Sequence, residues 1–238
     1  MDANRKTAIA VGILFIVATA ASLAGSSLSD PILAAPGYMT GMAENAGRIL
    51  VSALCTFVAA GTSVGIAIAL YPVLRKSQEG LALGAVVFRA IEAVFYIIAV
   101  LCLLSLLALG QEIVAAGGAV EGAETLGRFL LTTKELAGFV FGAAAFCIGG
   151  FLYYVVFYQS QLIPRWLSVW GLLGCVLLLC AIILTAVDGA PFSLTGNLVL
   201  LAMPIALQEI VLAVWLLVRG FSRSRSGSPT TETAVAGA

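Results

Sequence analysis

The sequence predicts an all-α polytopic membrane protein, six transmembrane helices with both termini cytoplasmic, and three observations carry that expectation. Hydrophobic residues make up 61% of the 238-residue chain and charged residues only 10%, where a soluble domain carries roughly 25% charged residues. Apolar runs of about 20 residues recur six times, each long enough to cross a hydrocarbon layer of about 30 Å at 1.5 Å per helical residue. Stretches such as "CVLLLCAIIL" and "VLCLLSLLAL" do not alternate in polarity, as the strands of a membrane barrel would.

Span one, Thr7 to Gly25, follows Arg5 and Lys6. It also has the layout of a secretory leader, but its apolar run exceeds the roughly 7 to 15 residues of a leader's core, so a retained span is expected. Cleavage would leave five spans and an outside amino terminus. Span two, Gly47 to Leu70, holds Gly61 and Gly65 in a GxxxG spacing that lets helices approach closely in lipid, and Pro72 marks its inner end. Span three, Leu81 to Leu109, contains "VVFRAIEAVF". Span four, Leu136 to Tyr158, sets Gly138, Gly142 and Gly149 on one face; span five, Trp166 to Val187, carries Gly171 and Gly174. Span six, Leu198 to Val218, holds Pro204, which removes a backbone donor and should kink the helix before Glu209.

Cytoplasmic flanks of membrane spans collect Lys and Arg. Eight basic residues, Arg5, Lys6, Arg75, Lys76, Arg165, Arg219, Arg223 and Arg225, flank the ends assigned to the inside. The other side has three, Arg48, Arg128 and Lys134, with seven acids: Asp30, Glu44, Glu112, Glu121, Glu124, Glu135 and Asp188. The first outside connection, with Pro31 and Pro36, is long enough for a short cap or a dip into the membrane surface. The second, acidic and glycine-rich, has helix formers for a surface helix around Ala119 to Leu131. Residues 1–220 thus form one six-helix domain, and the tail 221–238 lacks apolar periodicity and is expected to be disordered in the cytoplasm.

The chain has no histidine, which removes His-ligated haem, the usual zinc-protease motif and Ser-His-Asp triads. Cys55, Cys102, Cys147, Cys175 and Cys180 all fall within spans, form no CxxC, and read as small apolar packing residues. No metal or cofactor is expected, and no nucleic-acid partner; the expected partner is the lipid bilayer. Oligomeric state is left open.

The informative exception to the apolar pattern is a set of intramembrane charges. Arg89 and Glu92 are three apart and therefore neighbours on one face of span three. Counting from Leu81, Glu92 lies roughly 16 Å into the membrane; counting back from Arg219, Glu209 on the opposing span six lies roughly 15 Å from the same surface. A charge at the centre of a span costs roughly 2.5 to 3.5 kcal/mol, so Arg89, Glu92, Gln208 and Glu209 are expected to face inward and meet. One arginine against two glutamates leaves a surplus negative charge unless one carboxyl is protonated or a cation or water-filled cavity offsets it. Two readings stand: a structural clamp between spans three and six, or a polar pocket that binds a small molecule or lies on a proton pathway.

"YPVLRKSQEGLALGAVVFRAIEA" at 71–93, "QSQLIPRWLSVWGLLG" at 159–174 and "EIVLAVWLLVRG" at 209–220 resemble the bacterial integral membrane family catalogued as domain of unknown function 4386. The resemblance runs from about Lys6 to Gly220. It implies six helices in a membrane and marks Arg89, Glu92, Pro164, Arg165, Trp166 and Glu209 as positions of the family pattern. It implies no activity.

The function expected is that of a multi-pass cytoplasmic-membrane protein with a buried polar cluster, transporter-like or small-ligand-binding. Three plus three spans would permit an inverted repeat in which Glu92 and Glu209 are counterparts. The alternative is an accessory protein acting through helix or lipid contacts, its charges purely structural. An enzyme is not expected: intramembrane chemistry wants paired aspartates, Ser with His, or a His-rich metal site.

Overall fold

In lipid every backbone N–H and C=O must be satisfied within the chain, which leaves helices as the economical solution for a sequence without strand alternation. The computed structural model describes residues 3–118, 120–188 and 197–222, and among them there is no strand. The helices are α1 (Ala3–Leu33), α2 (Tyr38–Glu44), α3 (Ala46–Ala115), α4 (Ala123–Glu135), a π-helical stretch Leu136–Gly142, α5 (Ala143–Ser160), α6 (Arg165–Asp188) and α7 (Asn197–Val218). Five helical stretches are long and apolar enough to cross a membrane: Asn4–Leu33, Ala46–Ala115, Ala123–Ser160, Arg165–Thr185 and Leu200–Val218. The expected disordered tail lies, beyond Ser222, outside the described residues.

Straight, the 70 residues of α3 would extend about 105 Å. Instead the helix reverses at Gln78, whose φ of −148° and ψ of 88° are extended rather than helical. The two arms lie antiparallel: Ser63 on the first touches Glu92 on the second, and Ile49 shares a core cluster with Leu103 and Leu106. The loop expected between Leu70 and Leu81 is thus mostly helix, with the turn confined to one residue. Pro72 lies inside the first arm rather than at its end.

One end of the bundle gathers the basic residues. Arg5 donates to the carbonyls of Leu216 (3.2 Å) and Leu217 (2.6 Å), tying the start of α1 to the end of α7. Ser222 N–H donates to the Leu162 carbonyl at 2.8 Å, and Gln78 meets Gln159 at 3.2 Å. Both helical termini, the Gln78 reversal and the α5–α6 turn therefore share this face. The turn leaves α5 through Gln161, which adopts a left-handed conformation at φ 55°.

At the far end α2 forms the cap that the first connection was long enough to make. Its Met42 is fully buried with Ile49, Leu103 and Leu106. Gly110 makes the seat possible, since a Cβ there would fall on the Met39 carbonyl oxygen. Burial raises the Tyr38 phenol above its ordinary pKa, with Arg128 opposing. The surface helix expected near Ala119 to Leu131 is displaced: Ala119 lies outside the described residues, and α4 runs through the π-helical stretch into α5 with helical backbone at each junction. The segment is the first part of the continuous apolar helical stretch Ala123–Ser160.

Close helix approach is where several glycines act. A Cβ on Gly12 would stand 2.9 Å from the Ala213 carbonyl oxygen on α7; on Gly174, 2.9 Å from Ile205 Cβ. The GxxxG reading is corrected at Gly61, which is exposed with open space around it, while Gly65 has only ordinary contact with Leu14. Leu54, Phe57, Ile68, Val94, Leu101, Leu173 and Ile183 are all more than half exposed, an apolar exterior far beyond the patches a water-soluble monomer shows. The molecule is a membrane protein.

Candidate functional site

Arg89 is among the largest fully enclosed side chains in the molecule, 2% exposed. It reaches that position because α5 offers no side chain at Gly149, where a Cβ would sit 3.3 Å from Arg89 Cγ. The guanidinium then lies 4.4 Å from the ring centre of Phe146 and 5.3 Å from that of Tyr153. A desolvated cation over an aromatic face gains about 2 kcal/mol.

Its two terminal nitrogens have separate partners. Nη1 donates to Ser63 Oγ at 3.0 Å and to Glu92 Oε2 at 3.2 Å, while Ser63 Oγ–H donates to the same Glu92 oxygen at 2.8 Å. Nη2 donates to Tyr153 Oη at 2.7 Å and stands 3.6 Å from Glu209 Oε1. Glu92 is as buried as Arg89, whereas Glu209 is 12% exposed. Nε of Arg89 is buried without a hydrogen-bond partner among the described residues.

The expected meeting of spans three and six therefore occurs: Arg89, Glu92 and Glu209 form one cluster. Gln208, expected to join them, is buried but turns to the neighbouring helices, accepting from the Tyr154 hydroxyl and donating to the Leu167 carbonyl at 3.1 Å. The one-residue step between Gln208 and Glu209 rotates the side chain by about 100° around α7, enough to separate the two environments. Tyr153 and Tyr154, packed edge to face with ring centres 4.5 Å apart, join the layers. Gly171 on α6 accommodates Tyr154, since a Cβ there would be 2.6 Å from its ring.

Sequence reasoning missed Ser63, Phe146, Tyr153 and Tyr154. The adjacent tyrosines in "FLYYVVF" and a serine in an apolar run were the available signals, because hydroxyls far from a membrane surface need partners. What the sequence could not supply was which face each occupied.

Chemically the cluster has one guanidinium, two carboxyls and two hydroxyls. Glu92 receives both a charged and a neutral donor. Glu209 has a single ion pair, to the same guanidinium at 3.6 Å, longer than the contacts that hold Glu92. Two cavities lie away from the cluster, one at the basic end and one along the outer face of α7. Among the described residues no three His, Cys, Asp or Glu side chains come together as a metal site.

No curated protein and no solved structure matches the chain. A family model does, over residues 10–220, which takes in every residue of the cluster. The chain belongs to the family described as Domain of unknown function (DUF4386).

Proposed function

We propose that the chain crosses a bacterial cytoplasmic membrane six times, both termini inside, and that its Arg89–Glu92–Glu209 cluster is an intramembrane proton site of a transporter-like, non-enzymatic protein. The antiparallel arms of α3 supply two crossings, which with the other four apolar stretches make six. The gathering of Arg5, Arg75, Lys76, Arg165 and Arg219 at the end that holds both helical termini supports the orientation.

The observation that carries the proton reading is the inequality of the two carboxyls. Glu92 is held at 2.8–3.2 Å by Ser63 and Arg89, while Glu209 stands 3.6 Å from the other guanidinium nitrogen and is less buried. One cation fully matched to one carboxylate leaves the second as the group whose charge can change. The space around Arg89 is filled by Phe146, Tyr153 and Gly149, which favours a proton over a solute of many atoms. A resident metal ion would want more oxygen ligands than one loosely held carboxylate provides.

The test is proton flux into liposomes under an imposed pH gradient, comparing the native chain with Glu209→Gln and Glu92→Gln. Flux that falls in Glu209→Gln supports the reading; identical behaviour of all three proteins removes it. The second reading is an accessory protein whose cluster is a clamp between α3, α5 and α7. Its support is the dense packing of Arg89 itself, and it expects Glu209→Gln to fold normally while enlargement of Gly142 or Gly149 abolishes assembly.

A further inference from the structure

Away from the charged cluster, at the basic end of the bundle, a cavity of about 140 Å³ opens between five segments of the chain. Its polar lining comes from Asn4, Lys76, Ser77, Ser160 and Ser222. The geometry points to a binding site for a phosphate group at the cytoplasmic membrane surface, presented either by an anionic lipid headgroup or by a free phosphate.

Three features select that chemistry. The first is charge: Lys76 is the one ionisable side chain lining the cavity, no acid lines it among the described residues, and nearby Glu79 is engaged by the Tyr71 hydroxyl at 3.3 Å. Lys76 itself has no ion-pair partner among the described residues. The second is donor supply. Ser77 and Ser222 hydroxyls and the Asn4 side-chain amide can all donate. Ser160 Oγ–H donates to the Val156 carbonyl at 2.7 Å and is not counted among them.

The third feature is size and place. On this measure a water needs about 10 to 15 Å³, so the cavity has room on the order of ten waters, enough for a phosphate and its immediate substituent. Val73 and Leu162 form the apolar part of the lining, where the glycerol of a lipid could rest. The site is fixed by tertiary structure: the Ser222 N–H to Leu162 carbonyl bond holds the exit of α7 across the α5–α6 turn, beside the α3 reversal at Gln78.

The experiment uses the full chain purified in a phosphate-free non-ionic maltoside detergent. Thermal unfolding is followed with increasing inorganic phosphate against chloride at equal ionic strength, and separately in nanodiscs of phosphatidylcholine with or without phosphatidylglycerol. A saturable upward shift with phosphatidylglycerol alone identifies the headgroup as the source; one with inorganic phosphate identifies the free anion. In either arm Lys76→Gln should weaken the half-saturating concentration about tenfold, the loss of one charged hydrogen bond. Ser222→Glu, which puts a like charge at the cavity wall, should abolish the shift. Arg75→Gln, on the same face but outside the cavity, should leave it unchanged. The assignment is overturned if neither arm gives a saturable shift, or if Arg75→Gln and Lys76→Gln weaken it equally, the mark of general surface attraction.

Discussion

Replacing Arg89 by methionine tests whether charge holds the buried cluster together. In the folded chain the guanidinium meets Glu92 at 3.2 Å and Glu209 at 3.6 Å, hydrogen-bonds Ser63 and Tyr153, and lies over Phe146. Methionine keeps the unbranched stem beside Gly149 but leaves two carboxyls enclosed without a cation. Breaking a buried pair in this one-sided way costs about 3–5 kcal/mol. The triple variant Arg89→Met/Glu92→Gln/Glu209→Gln removes every formal charge and gives Ser63 and Tyr153 amide partners. It should recover most of the loss and stand within about 1–2 kcal/mol of the native chain. Unfolding by SDS in mixed micelles, read by circular dichroism, measures all three proteins. A single variant within about 1 kcal/mol of native, or a triple variant less stable than the single, would show that desolvated charge does not set the energy of this site.

Three further outcomes follow from the packing. Gly171→Ala pushes a Cβ to 2.6 Å from the Tyr154 ring and should cost about 1–3 kcal/mol through overpacking, whereas Gly61→Leu, with open space at the position, should change stability by less than about 0.5 kcal/mol; the same SDS titration separates them. Gly110→Ala should unseat α2 from α3, seen as protease cleavage between Leu33 and Asn45 that the native chain resists. In a cysteine-free background, Ser77→Cys should react with a membrane-impermeant maleimide only from the cytoplasmic side and Glu121→Cys only from outside; labelling of both from one side would refute six crossings.

The spans were legible because a membrane imposes a one-dimensional rule: about 20 apolar residues or no crossing. Arg89 and Glu92 were legible as a pair because three residues make nearly one helical turn, and the depth of Glu209 followed from 1.5 Å per residue. Rotation about each helix axis was not legible. Gly61 and Gly65 have the spacing of a packing motif, yet Gly61 faces outward, while Gly171, with less pattern around it, receives the Tyr154 ring. In an apolar span both faces carry the same residue types, so no polarity difference marks the inner one, and Ser63, Tyr153 and Tyr154 stayed hidden for the same reason.

The sequence by itself determined the solvent this chain requires, the number of apolar runs, their basic and acidic flanks and the level at which the charges lie, because each depends on residue order and helical rise alone. Only the tertiary structure decided that Gln78 suffices to reverse α3, that Gln208 turns away to Tyr154 while Glu209 turns toward Arg89, and that Ser63 and Tyr153 hydrogen-bond the two terminal nitrogens of the guanidinium. Those choices depend on how helices rotate against one another, and that rotation is set by contacts between residues as far apart in the chain as Arg89 and Glu209.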